Sequence, residues 1–220
     1  MRSLVIGASG GIGGALVQAL RARGGRVSGL SRSGDGFDVT DEASVVRGLT
    51  ALDGPFDMVF IATGALVIGD QRPEKSLSAL DPAALAAQFA LNAIGPAIVL
   101  KHLRRLLPRD RPAHVAVLSA RVGSIGDNAL GGWYGYRAAK AALNQLVHTA
   151  AVELTRTHPQ LTLIALHPGT VATSLGPAYR AGHAAQDPGE AAGHLIAVLA
   201  QRTPADSGGF FDWQAARVVW

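Results

Sequence analysis

The sequence has no cysteine, and charged residues make up only 16% and aromatic residues only 5% of its 220 residues. The lack of cysteine excludes disulfide frameworks, thiolate zinc sites and thiol nucleophiles. Its seven histidines do not follow the spacing of a metal site such as His-Glu-x-x-His, so we predict no bound metal. The net charge of +4 comes from basic residues that are scattered singly, which argues against a nucleic-acid partner.

Stretches that could reach a membrane are also few. Gly7 and Gly10 interrupt the apolar residues near the start before a signal-peptide core can form, so we expect a cytoplasmic protein. The uncharged run 82–100 approaches the length of a membrane span. Gln88 and Asn92 are costly in lipid, and Gly95-Pro96 interrupts any single helix. We predict a buried helix there and no membrane partner.

The length is typical of a single domain, 1–220, and neither a repeat nor a linker divides the chain. Short apolar runs alternate with longer helical patterns. The predicted strands lie at 4–6, 27–30, 58–61, 115–118, 161–166 and 210–211, and the predicted helices at 12–23, 41–52, 82–107, 134–157 and 188–199. Asp81 before Pro82 and Asp187 before Pro188 are helix start signals. This alternation predicts an α/β fold with a doubly wound parallel sheet.

One connection is shorter than this pattern requires. Only the six residues from Ser31 to Gly36 separate the second strand from Phe37. A parallel crossover through a helix needs a dozen or more residues. The β2–β3 region is therefore shortened: either the third strand is vestigial or the helix before it is deleted.

A glycine-rich segment directly follows the first strand and opens the first helix. It reads Gly7-Ala8-Ser9-Gly10-Gly11-Ile12-Gly13. Backbone N–H groups and the helix dipole favour an anion at such a place, and glycines let the backbone approach a pyrophosphate closely. The segment predicts nucleotide binding; the alternative is a tight turn that binds nothing.

The spacing Gly-x-x-x-Gly-x-Gly resembles the phosphate loop of the short-chain dehydrogenase/reductase family. Further matching segments are Asp38-Val39, Asn92-Ala93-Ile94-Gly95, Tyr136-Arg137-Ala138-Ala139-Lys140 and Pro168-Gly169-Thr170-Val171-Ala172-Thr173. Gly123-Ser124-Ile125 and the ending Ser207-Gly208-Gly209-Phe210-Phe211-Asp212-Trp213 most resemble small bacterial C-factor-like members. The resemblance implies a Rossmann-type domain that binds NAD(P).

The resemblance also implies the acid–base chemistry. Tyr136 would donate a proton to a substrate carbonyl oxygen, and Lys140 would lower the pKa of the phenol and hold the nicotinamide ribose. The two residues are four apart and share one helix face, although such pairs also arise by chance. Tyr134 is a weaker candidate because Ala138 stands four residues beyond it. Asn92 would hold a water in the proton relay; the alternative is an Asn satisfied locally beside Gly95-Pro96.

The catalytic serine is where the sequence departs from the family pattern. Counting back from Gly123 places that serine at Ala120. Ser119 would reach the site if the strand end is shifted, and Ser124 lies twelve residues before Tyr136, close to the usual separation. A serine hydroxyl here would stabilise the developing alkoxide. We therefore name Ser119 as the catalytic candidate and keep Ser124 as its rival.

Cofactor choice follows from charge after the second strand. NAD-dependent enzymes place a carboxylate there, whereas this chain has Ser31-Arg32-Ser33. We predict NADP(H), with NAD(H) possible; the alternative is that Arg32 is a solvated loop residue. The other family positions expected to contact the cofactor are the loop residues Gly7, Ser9, Gly11, Ile12 and Gly13, then Asp38, Val39, Ala62, Gly64, Tyr136, Lys140, Pro168, Gly169, Thr170, Val171 and Thr173.

The predicted function is an NADP(H)-dependent oxidoreductase that moves hydride between the cofactor and a small-molecule carbonyl or alcohol. The alternative is a signalling or regulatory protein that binds NAD(P) with little turnover, which Ala120 allows. Alanine-rich helix faces in 82–107 and 134–157 predict a homo-oligomer, a dimer or a tetramer. The segment 174–187 is the expected substrate lid, and His167 is expected to be structural.

Overall fold

The fold is a parallel α/β sheet with helices on both faces, as predicted. In the computed structural model, which describes residues 1–173 and 185–220, the sheet has six strands in the order β2-β1-β3-β4-β5-β6. The strands are β1 (Arg2–Ile6), β2 (Arg26–Leu30), β3 (Met58–Ile61), β4 (Ala113–Leu118), β5 (Leu161–His167) and β6 (Phe210–Asp212). Every pairing between neighbouring strands is parallel. The order reverses between β1 and β3, which is where such sheets bind ligands.

The strands are apolar throughout because both of their faces are covered. In β4, Val115 and Val117 face one core, while Ala116 and Leu118 face the other. All four are buried. Alternate side chains of a strand point to opposite faces, so a strand between two helical layers needs apolar residues at every position.

Helices form the two outer layers. They are α1 (Gly11–Ala22), α2 (Arg32–Asp35), α3 (Glu42–Thr50), α4 (Pro82–Phe89), α5 (Gly95–Leu103), α6 (Tyr134–Leu154) and α7 (Pro188–Ala200). Helices α1 and α7 pack together on one face, and α3, α5, α4 and α6 cover the other. Asp81 and Asp187 cap α4 and α7 as predicted, since each carboxylate accepts a backbone N–H of the first turn.

The shortened β2–β3 region contains elements of both alternatives. The crossover helix is reduced to the single turn α2, which ends at Gly36 with φ 65°. Phe37 and Val39 remain buried, yet 37–39 form no strand. The third strand is therefore vestigial, and β2 becomes the edge of the sheet.

The long uncharged run forms two helices joined by a π-turn, Ala90–Ile94. By length and composition, Pro82–Leu106 could cross a membrane, with a mean hydropathy of 1.7. In the fold this stretch packs against α6 and α3. Its buried face thus belongs to the core, as the sequence predicts.

Gly95 follows the π-turn and admits Val39 from the shortened region. An ideal Cβ at Gly95 would lie 2.8 Å from Val39 Cγ2 and 3.0 Å from the Val39 carbonyl oxygen. The glycine of the Asn-x-x-Gly segment therefore lets the segment after β2 reach the core.

We expect Gly95→Ala to lower the free energy of unfolding by ~1–3 kcal/mol, because the added methyl group overlaps Val39. Gly193→Ala in α7 is the matched control, since nothing lies within 4 Å of an ideal Cβ there. The control should gain ~0.5–1 kcal/mol from helix propensity. Urea denaturation measures both, and equal effects at the two positions would contradict the close approach.

Candidate active site

The candidate residues lie in the segments that leave the carboxyl ends of β1 to β5, in the π-turn and in α6. These strands are neighbours, so their loops meet at one edge of the sheet. The edge lies at the reversal of strand order, where a dinucleotide is bound in doubly wound sheets. The first turn of α6 faces the same edge.

The glycine loop after β1 is packed so closely that three of its glycines could not carry a side chain. Gly7 has φ 87°, and an ideal Cβ there would lie 2.7 Å from the Ala62 carbonyl oxygen. At Gly13 the Cβ would lie 2.0 Å from the Gly7 carbonyl oxygen, and at Gly11 it would lie 2.5 Å from Thr173 Cγ2. The loop therefore brings together the ends of β1 and β3 and the segment after β5. The loop leads directly into the start of α1, and the N–H groups of a helix start suit a pyrophosphate.

Of the three residues that follow β2, one is hydrogen-bonded within the chain and two are exposed to solvent. The Ser31 hydroxyl accepts from Gly34 N and donates to the Asp35 carboxylate, at 3.1 and 3.2 Å. Arg32 and Ser33 are exposed. Ser31 thus caps α2, while the Arg32 guanidinium and the Ser33 hydroxyl face solvent at the edge of the sheet.

Asp38 forms a local turn with Thr40. Its Oδ1 accepts from the backbone N and the side-chain hydroxyl of Thr40, at 2.8 and 2.7 Å. These bonds, and then the positive charge of Arg32, lower the pKa of Asp38. Val39 is buried against Gly95, so its side chain belongs to the core.

Tyr136 and Lys140 share one face of α6, as their spacing predicts. Both are buried. The Lys140 ammonium donates to the Leu118 carbonyl oxygen at 2.9 Å and lies 5.8 Å from the centre of the Tyr136 ring. The bond to Leu118 ties α6 to the end of β4.

The pKa of the phenol shifts in the direction opposite to the prediction. Burial raises the pKa of Tyr136 and lowers the pKa of Lys140 to about 7. A buried lysine at this pKa is only partly charged at neutral pH, so its ammonium does not offset the loss of hydration at the phenol. For the chain without a cofactor, the expected lowering of the phenol pKa was wrong.

Asn92 lies in the π-turn and reaches the loop after β3. Its Oδ1 accepts from Ala65 N at 3.0 Å, and its Nδ2 donates to the Ala65 carbonyl at 2.9 Å and to Gln88 Oε1 at 2.7 Å. At Gly64, with φ 145°, an ideal Cβ would lie 2.8 Å from Asn92 Oδ1 and 3.2 Å from Lys140 Nζ. Gly64 thus allows Asn92 and Lys140 to meet the β3 loop. The water-holding role of Asn92 stays a prediction.

The serine hydroxyls are both directed to structural partners. Ser119 Oγ donates to Asn144 Oδ1 at 2.6 Å, and Ser124 Oγ accepts from Asp127 N at 3.1 Å. Asn144 stands eight residues beyond Tyr136, ~12 Å along the helix. The Ser119 hydroxyl is thus bonded to a residue two turns beyond Tyr136 along α6. The role of Ser119 as a carbonyl-binding group stays a prediction. Ala120, in the expected place, has no hydroxyl.

The segment after β5 reaches the glycine loop through Thr173. Gly169 has φ 77°, and an ideal Cβ there would lie 2.7 Å from Trp213 and from Gln186. Gln186 also exchanges backbone bonds with Thr170 and Ala172. Pro168, Val171 and Thr173 lie in this described part, whereas residues 174–184 of the expected lid lie outside the described residues.

His167 lies at the end of the fifth strand, and its expected structural role stays a prediction. It stands at the end of β5 opposite Asp212 of β6. Its Nδ1 is buried and has no hydrogen-bond partner within the described part of the chain. Burial lowers the pKa of His167 to about 4. The ring is therefore neutral at physiological pH.

Two buried polar residues beside Tyr136 were missed in the sequence. Glu74 and Gln88 line a cavity together with Tyr136; its other lining residues are Ile68, Gln71, Arg72, Pro73, Ala84 and Ala87. Both polar residues are less than a tenth exposed. Glu74 lies in a loop without periodicity, and Gln88 was noted only as a polar residue of the uncharged run, so neither was identified as part of the site. Thr63 was missed as well, although its buried hydroxyl next to Gly64 has no partner among the described residues.

Comparison with known proteins identifies the family to which this chain belongs. A model of the short chain dehydrogenase family matches residues 34–184. A 1-hydroxy-2-glutathionyl-2-methyl-3-butene dehydrogenase of Rhodococcus sp. (strain AD45) is 32% identical over 232 residues, which cover 99% of this chain and 98% of that protein. The C-signal protein of Myxococcus xanthus is 35% identical over 146 residues, covering 66% and 84%.

A solved structure also matches the whole fold. A short-chain dehydrogenase/reductase from Burkholderia multivorans with bound NADP is 25% identical, with a TM-score of 0.80, and the match covers 100% of this chain and 99% of that one. The chain belongs to the short-chain dehydrogenase family and is an oxidoreductase of that family. The resemblance found in the sequence, including that to C-factor-like members, is confirmed.

Stability should depend on pH through Lys140. Because its pKa falls from 10.5 to about 7 on folding, the unfolded chain binds more protons between these values, and the free energy of unfolding rises with pH. We expect a contribution of ~2 kcal/mol between pH 7 and pH 9 in the cofactor-free protein, absent from Lys140→Met. Urea denaturation at both pH values measures it. The same pH slope in parent and variant would contradict a buried lysine of lowered pKa.

Proposed function

We propose that this protein is an NADP(H)-dependent oxidoreductase that transfers hydride between the cofactor and a carbonyl or alcohol substrate. The observation that carries this proposal is the convergence of Tyr136, Lys140 and Asn92 beside the β3 loop, at the edge of the sheet that also holds the glycine loop. Acid–base side chains and an anion-binding loop then meet at one site. The solved Burkholderia multivorans relative with bound NADP supports the choice of cofactor class.

The described residues suit a nicotinamide dinucleotide. The loop leaves no room for a Cβ at Gly7, Gly11 and Gly13 and leads into the start of α1, which suits a pyrophosphate. Lys140 would hold the nicotinamide ribose, and the buried Thr63 hydroxyl lacks a partner in the described chain. The remaining contacts are proposed for Ser9, Ile12, Asp38, Val39, Ala62, Gly64, Pro168, Gly169, Thr170, Val171 and Thr173.

The two residues that would transfer protons, Tyr136 and Lys140, lie on α6. When bound, NADPH supplies the hydride that reduces the carbonyl carbon. Tyr136 is protonated at working pH because burial raises its pKa, so it can donate its proton to the carbonyl oxygen. Lys140, with a pKa of about 7, can return a proton to the phenolate and regain one near neutral pH. Oxidation of an alcohol reverses these transfers.

Arg32 is the basis for preferring NADP(H). It is exposed after β2, where an anionic 2′-phosphate would lie, and its positive charge already lowers the pKa of Asp38. Ser33, also exposed, would donate a second hydrogen bond, whereas Ser31 is committed to capping α2. NAD(H) binding is possible but lacks the interaction with Arg32.

A signalling or regulatory protein with little turnover is the second candidate. It is favoured by Ala120, which leaves no hydroxyl at the expected serine position, and by the 35% identity to the C-signal protein. Cofactor binding without reduction of any carbonyl compound would distinguish it from the enzyme.

We also propose that the protein is cytoplasmic and forms a homo-oligomer. Ile94 of the π-turn and Val152 of α6 are each 52% exposed, on the helices whose alanine-rich faces predict close packing. A second copy of the chain would cover such apolar side chains in a two-fold interface.

Tyr136→Phe should reduce carbonyl reduction by at least ~10³-fold while changing NADPH affinity by less than about 2-fold, because only the proton donor is lost. Tyr134→Phe is the matched control on the same helix turn and should keep activity within about 2-fold. Loss of NADPH absorbance measures turnover, and cofactor fluorescence measures binding. If Tyr136→Phe keeps the parent's activity on the same substrate, the proposed proton donor is wrong.

Arg32→Ala should narrow the preference for NADPH over NADH by ~5- to 20-fold, because a charge-assisted hydrogen bond at an exposed site is lost. Arg23→Ala is the control, since Arg23 is exposed at the C-terminal end of α1, the end away from the glycine loop. Titration of both cofactors with each variant gives the ratios. Equal affinity of the parent for NADH and NADPH would refute the assignment.

A further inference from the structure

Helix α6 begins without a capping side chain from its own sequence. The residue before its first turn is Trp133, whose indole has no acceptor atom for the N–H groups of that turn. Trp133 also has φ 52°, an uncommon backbone conformation for a residue other than glycine. The first-turn N–H groups therefore need an acceptor from elsewhere in the chain.

Glu74, sixty-one residues earlier, supplies acceptors to this turn. Its Oε2 accepts from Gly135 N at 3.2 Å, and its carbonyl oxygen accepts from Trp133 N at 2.5 Å. Glu74 is 8% exposed, and among the described residues no basic side chain forms an ion pair with it. A buried carboxylate is stabilised by the positive end of a helix, so both groups gain from this contact.

The sequence around the contact leaves room for the carboxylate. An ideal Cβ at Gly135 would lie 2.8 Å from Glu74 Oε1, so any larger residue would displace it. Tyr136 is the next residue, and its ring lines the same cavity as Glu74. Glu74 thus holds the two N–H groups that precede the phenol.

We propose that Glu74 is a positioning residue for the reaction: it caps α6 from the β3–α4 loop and thereby fixes where the Tyr136 hydroxyl lies. This inference rests on the proposed function for its kinetic part, whereas the cap itself is independent of turnover. A misplacement of ~1 Å at a reacting group costs ~10²-fold in rate, so the first turn of α6 must be held firmly.

The test compares Glu74→Ala with Asp81→Ala. Asp81 is a matched control because its carboxylate caps α4 from the same loop, accepting from Ala84 N at 2.7 Å. Hydrogen exchange of the amides 133–137 is measured in the full-length protein. Glu74→Ala should accelerate this exchange by ~5- to 10-fold, and Asp81→Ala should leave it within about 2-fold of the parent. Unchanged exchange in folded Glu74→Ala would overturn the proposal.

Kinetics then test the positioning role with a carbonyl substrate that the parent reduces. Glu74→Ala should lower kcat by ~10- to 100-fold with NADPH affinity within about 2-fold, and Asp81→Ala should keep kcat within about 2-fold. Glu74→Gln should recover most of kcat, because its amide oxygen still accepts from Gly135 N. If the kcat of Glu74→Ala stays within 2-fold of the parent's, Glu74 does not position Tyr136 for the reaction, and the proposal is wrong.

Two further comparisons separate this inference from the proposed function. Gly135→Ala keeps the carboxylate but displaces it, so it should reproduce the faster exchange even if Glu74→Ala does not fold. Slow, parent-like exchange in Gly135→Ala would count against the cap. If the parent reduces no carbonyl compound, the proposed function fails, while faster exchange in Glu74→Ala still supports the cap.

Discussion

The buried ammonium of Lys140 is the constraint on which the site depends. Removing a lysine charge from water is costly, and within the described residues no carboxylate forms an ion pair with Lys140. Instead, the ammonium donates a hydrogen bond to the Leu118 carbonyl oxygen, and burial lowers the pKa of Lys140 to about 7. Gly64 and Gly123 admit the side chain, because an ideal Cβ at Gly123 would lie 2.8 Å from Lys140 Cβ. A buried lysine whose pKa is shifted toward neutral is a candidate functional residue, which agrees with the proton transfer proposed for it.

The layers of the fold could be predicted because burial repeats along the sequence. Apolar runs such as Val115 to Leu118 need cover on both sides, and Asp81-Pro82 marks a helix start by local chemistry. The shortened β2–β3 region could be predicted only as two alternatives, a vestigial strand or a deleted helix. Chain length shows that a full crossover does not fit, but the choice between a lost strand and a lost helix depends on Val39 packing against Gly95, a contact across distant segments.

The candidate site was predictable where spacing alone determines geometry and not where a partner lies far along the chain. Tyr136 and Lys140 share a face because helical periodicity requires it. The hydrogen-bond partner of the Ser119 hydroxyl could not be predicted, because that partner, Asn144, lies twenty-five residues away in the sequence. The phenol pKa was also misjudged, because spacing shows that a cation is near but not that burial reduces the charge of that same cation.

The loop after β3 connects these separate pieces into one site. Gly64 contacts Asn92 and Lys140, Ala65 receives both hydrogen-bonding ends of the Asn92 amide, and Glu74 caps the helix that carries Tyr136. Backbone groups at Gly64 and Ala65 and the carboxylate of Glu74 thus all come from this one loop, so the loop determines how Tyr136, Lys140 and Asn92 are arranged.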